Sequence, residues 1–84
     1  MSAVAEYEAM RRAIQANIEA IRNLLNEADE LSQAVNAIKD NASLRDQLKV
    51  HLESLNKSIT NLVDQTNALF EQYINLANSV VVVS

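Results

Sequence analysis

The chain has no glycine, no proline, no cysteine and no tryptophan among its 84 residues. Without glycine or proline, the usual chemistry of tight β-hairpin turns is missing, which argues against a many-stranded sheet. Without cysteine there is no disulfide framework and no thiolate metal site. That absence fits the cytoplasm and a disulfide-free exported protein equally well. Aromatic residues make up only 4% of the chain, and the formal charge of −4 is modest. An acidic balance disfavours polyanions as partners, because phosphate backbones attract clustered lysine and arginine. No apolar run reaches the roughly 18 residues of a membrane span. The opening residues Met1 to Glu8 carry early acids and no basic stretch, unlike an ordinary signal peptide. The expected address is therefore the cytoplasm, or export without a standard signal peptide.

What the chain does contain is heptad repetition. In the second half, Leu48, Leu55, Leu62, Leu69 and Leu76 recur every seventh residue. Leu52, Ile59, Thr66, Tyr73 and Val80 fill the other core position. The first half has its own heptad: Tyr7, Ile14, Ile21, Ala28 and Val35 at one position, Met10, Asn17, Leu24, Leu31 and Ile38 at the other. Nine of these ten are apolar in a chain that is 49% apolar. Each repeat makes a helix with a continuous apolar seam, and a seam needs a partner helix.

The two phases do not join. Extending the first heptad places Arg45 and Lys49 in the core. The slip falls at Lys39-Asp40-Asn41-Ala42-Ser43, where Asp, Asn and Ser favour caps and turns. Ser43 with Asp46 reads as a weak capping box, and Lys39 suits a helix C-terminus. The sequence thus predicts a single all-α unit over residues 1–84: an antiparallel two-helix coiled-coil hairpin. Helix 1 is expected over about 3–39, a turn over about 40–43, and helix 2 over about 44–81. The alternative is one continuous helix on the order of 120 Å long with a heptad discontinuity.

Facing residues of an antiparallel pair have numbers with a constant sum. A sum of 83 sets Tyr7 against Leu76, Met10 against Tyr73, Leu31 against Leu52 and Val35 against Leu48. It also sets Asn17 against Thr66, the only polar residues inside the two seams. They are the expected register layer, able to hydrogen-bond, since a buried polar pair costs stability but fixes register.

Beside the seam, Val4, Ile18 and Leu25 from helix 1 and Val63, Phe70 and Ala77 from helix 2 share one flank, with Ile74 and Val81 a step further round. The opposite flank holds Glu6, Ala13, Ala20, Glu27 and Ala34 from helix 1 and His51, Ser58, Gln65, Gln72 and Ser79 from helix 2. The hairpin therefore has one apolar broadside, with Ile18, Leu25, Val63, Phe70, Ile74 and Ala77 as candidate interface residues. A stripe of that size marks an interface. It leads us to expect a homodimer, or a heterodimer with another helical protein, closing into a four-helix bundle. The run Val80–Val83 has two readings: a last helical turn that finishes the seam, or a short strand or recognition tail.

Chemistry is sparse. His51 is the only histidine, and Glu53 two residues on points to another helix face. No catalytic, cofactor or metal-binding residues are expected, and the chain is read as a non-enzyme with no nucleic acid as partner. In architecture it resembles the small dimeric hairpins that bind paired RNA loops, but its seven basic residues are spread around the rod and outnumbered by eleven acids. In length, two-helix layout and lack of cysteine it resembles the small hairpin proteins of type VII secretion, the WxG-motif family. The stretch from Leu55 through Tyr73 is similar in flavour to their second helix. The turn lacks Trp-x-Gly, and Tyr73 is followed four residues on by Ala77 where that family's export tag has an acid. Type III secretion needle subunits are similar in length and layout, though their usual turn contains proline. These resemblances imply a secretion-system partner, an adaptor or a small structural subunit. The alternatives are a phage or appendage assembly protein, or a small regulator that binds nucleic acid or a ligand.

Overall fold

A computed structural model of the chain describes residues 2–83, with side chains over 2–79. Two helices account for nearly all of it: α1 spans Ala3–Ala37 and α2 spans Ala42–Val83. They lie side by side as a coiled-coil-like hairpin, a rod of 65 × 17 × 14 Å with a radius of gyration of 18.8 Å. A compact chain of this length would have a radius near 12 Å. The continuous-helix alternative is excluded by the break at Ile38–Asn41.

Both helices are started by side-chain caps. The Ser2 hydroxyl accepts from the Ala5 N–H at 3.1 Å, and the Ser2 carbonyl accepts from the Glu6 N–H. The Asn41 Oδ1 accepts from the Leu44 N–H at 3.0 Å, and the Asn41 carbonyl from the Arg45 N–H. Asn41 therefore caps α2, and the expected Ser43–Asp46 box is not used. Ser43 already lies inside the helix. The physical reason is competition between neighbouring polar residues: asparagine is at least as good a cap as serine, and with Asn41 as the cap the helix begins at Ala42 and takes in Ser43.

The first helix ends at Ala37, two residues before the expected limit, and the second begins two residues early. Ile38 leaves the helix in an extended conformation, with φ −82° and ψ 113°, and its N–H bonds back to the Val35 carbonyl. It remains half-buried. An extended residue turns the chain without a left-handed position, and none of the described residues has a positive φ. This is how the reversal is made with no glycine present. At the other end, the backbone of Val80–Val83 continues α2, so no strand forms there. Whether Val80 and Val83 finish the seam, and where Val81 points, lies outside the described side chains.

The seam follows the heptads. Every predicted core position from Tyr7 to Ile38 and from Leu48 to Leu76 is partly or fully buried. Burial is shallow all the same: Ile14, Val35 and Thr66 are the only buried residues among those described, and none is wholly enclosed. Two helices cover one side of each seam and leave its margins wet.

Candidate interaction face

Most of the large apolar residues exposed among those described lie on or next to the flank beside the seam. Heptad phase puts Ile18 and Leu25 on α1 at the same kind of position as Val63, Phe70 and Ala77 on α2. In an antiparallel pair those positions fall on one side. Leu25 is 51% exposed and Phe70 is 47% exposed; Val4, Ile18 and Ile74 are similarly open. Val63 and Ala77 are partly covered. The stripe is richest from the open end of the rod to its middle, although Arg11 interrupts it on α1 between Val4 and Ile18. Toward the turn the same flank becomes polar, with Ser32, Lys39, Lys49 and Asn56. Two exposed apolar residues lie outside it. Leu44 sits on the opposite flank and Val50 on the back of α2, near the turn. The sequence reading did not single them out, and isolated exposed apolar residues are ordinary on protein surfaces.

The expected register layer behaves differently from the flank. Thr66 is buried at 8% exposure and Asn17 is half-buried. The Thr66 hydroxyl donates to the Leu62 carbonyl one turn back in its own helix, at 2.6 Å. It needs no partner across the seam, and no hydrogen bond joins it to Asn17 among the described residues. Threonine in a helix commonly satisfies its hydroxyl this way.

The polar link between the helices lies elsewhere. At the open end the rings of Tyr7 and Tyr73 stack with centroids 4.7 Å apart and planes at 20°. The Tyr73 hydroxyl donates to the Tyr7 hydroxyl at 2.7 Å. Tyr7 therefore meets Tyr73, one turn before Leu76 on the same seam. A stacked phenol pair gains both ring contact and a hydrogen bond. The hydrogen bond to Tyr7, followed by partial desolvation, raises the Tyr73 pKa above the usual tyrosine value. Phe70 tilts against Tyr73 at 5.9 Å, so the aromatic cluster reaches from the seam onto the apolar flank.

The clefts along the rod are open. One of about 330 Å³ is lined by Glu27, Glu30, Leu31, Ala34, His51 and Leu55. Another of about 370 Å³ lies by the turn between Val35, Asn36, Ile38, Lys39, Arg45 and Lys49. Their linings show that Leu31 lies near Leu55, and Val35 near Lys49, as a hairpin requires. Among the described residues, no cluster of three or more histidines and carboxylates is placed to hold a metal. No described helix is long and apolar enough to cross a membrane.

Fold and face together define a coiled-coil-like helical hairpin with one apolar flank uncovered. Comparison with known proteins brings no matching family model, no matching curated protein and no matching solved structure.

Proposed function

We propose that the chain is a non-enzymatic interaction module whose open flank packs against a second helical hairpin to complete a four-helix bundle. The observation that carries this reading is the flank itself, a row of half-exposed large apolar residues on one side of the rod, with only Leu44 and Val50 exposed elsewhere among the large apolar residues described. Surface area supports it. The chain exposes 6168 Å². A compact monomer of its mass would expose about 5,000 Å². Typical stable interfaces bury about 800 Å² per partner, which would remove most of the excess. A second copy of the hairpin supplies a flank of the same chemistry, so a homodimer is the simplest form of the bundle. Length, two-helix layout and the likeness of residues 55–73 to the second helix of type VII secretion hairpins support a role as a small secretion-system partner or adaptor.

Sedimentation of a Leu25→Glu, Phe70→Glu double variant tests the interface. The wild type is expected to sediment as an oligomer and the double variant as a helical monomer. An unchanged mass for the variant, or a monomeric wild type at micromolar concentration, would sink the reading.

A further inference from the structure

The chain contains only two tyrosines, and they come from opposite ends of the sequence. The fold stacks them face to face with their hydroxyls in hydrogen-bond contact. Both are half-buried, so solvent reaches the pair. With the hydroxyls 2.7 Å apart and the centroids 4.7 Å apart, the ring edges that carry the ortho carbons converge toward each other. Those carbons carry the unpaired spin when a phenol loses an electron and a proton. The first adduct of two such radicals has a tetrahedral carbon at each end of the new bond, so a face-to-face approach is the productive one.

We propose that Tyr7 and Tyr73 form an oxidative cross-linking site. A one-electron oxidant of the haem-peroxidase class, using hydrogen peroxide, joins the rings and staples the open end of the hairpin. Each phenol gives up one electron and its hydroxyl proton. The two radicals form one carbon–carbon bond between ortho positions. Each of those carbons then releases its hydrogen as a proton, and each oxygen regains one, which restores both aromatic rings and both hydroxyls. The chain loses two hydrogens in all, and one hydrogen peroxide becomes two waters. In a protein without cysteine, such a bond provides a covalent staple that thiol reductants do not open.

The proposal needs only the hairpin and does not depend on what covers its flank. The same residue count makes it easy to test. Within one chain the only possible dityrosine is Tyr7–Tyr73, whereas coupling between chains can join any two tyrosines.

A mixture of unlabelled and ¹⁵N-labelled full-length chains at micromolar concentration is treated with a haem peroxidase and hydrogen peroxide. The expected product keeps the mass of one chain less two hydrogens and shows dityrosine fluorescence. After trypsin, residues 1–11 are joined to residues 58–84, always with one isotope composition. This intrachain product exceeds the chain-to-chain product by roughly tenfold or more, because the fold fixes the two rings at high effective concentration. Urea abolishes that excess, and Tyr7→Phe removes the intrachain product. The purified cross-linked chain melts on the order of 10 °C higher than the untreated chain, with or without thiol reductant. Mixed-isotope pairs, predominance of chain-to-chain products, or no coupling under conditions that couple free tyrosine would each overturn the assignment.

Discussion

Tyr73 and Thr66 both sit in the leucine seam of α2, and each resolves its polar group differently. The Thr66 hydroxyl turns back to Leu62 in its own helix. The Tyr73 hydroxyl reaches across to Tyr7. The heptad made both positions legible as core positions. Their hydrogen-bond partners were not legible, because a repeat specifies which face a residue lies on and not where a rotatable hydroxyl points. The tyrosine link has a pH signature. The bond to Tyr7 raises the Tyr73 pKa, while the nearby Arg11 lowers it and Glu8 raises it by smaller amounts. A group whose pKa is higher when folded contributes stability that is fully present below its unfolded value, about 10 for tyrosine. That contribution is lost as pH rises through the higher folded value. Thermal stability is therefore expected to fall above pH 10 in the wild type and to fall less in Tyr7→Phe. Melting curves at stepped alkaline pH measure this, and identical slopes for the two proteins would refute it.

The helices themselves were largely readable from the sequence. Two heptads in different phases fixed their number, their approximate ends and the face that each buries. The turn was readable as a region but not in its details. The four polar residues Lys39, Asp40, Asn41 and Ser43 all favour helix boundaries, and propensity does not rank neighbours finely enough to choose among them. The structure chooses Asn41 as the cap of α2 and lets Ile38 leave α1. Side-chain caps of this kind contribute about 1 kcal/mol. In a domain of this size that corresponds to roughly 4–8 °C of melting temperature. Asn41→Ala is expected to lower the melting temperature by about that amount, while Ser43→Ala leaves it nearly unchanged. Circular dichroism melts of the two variants distinguish them. The reverse order would restore Ser43 as the cap.

As a whole molecule, the hairpin buries little apolar surface. Only Ile14 and Val35 are buried apolar residues among those described. If a second hairpin covers the flank, the folded state gains about 1.4 kcal/mol for each tenfold rise in concentration. The wild-type melting temperature should then climb with protein concentration, while that of the Leu25→Glu, Phe70→Glu variant stays flat. A flat wild-type series would mean that the hairpin is stable by itself. The hairpin shape also sets an order of events in folding. Residues flanking the Ile38–Asn41 turn are close in sequence and meet across a short loop. Each layer that forms shortens the free loop before the next, so closing the rod from the turn costs little entropy per step. Tyr7 and Tyr73 are 66 positions apart and stand at the far end of that path. On that path they would close last as the chain folds and separate first as it frays. A covalent bond between them would reverse the sequence of events, because a contact 66 positions apart would already be made when folding begins.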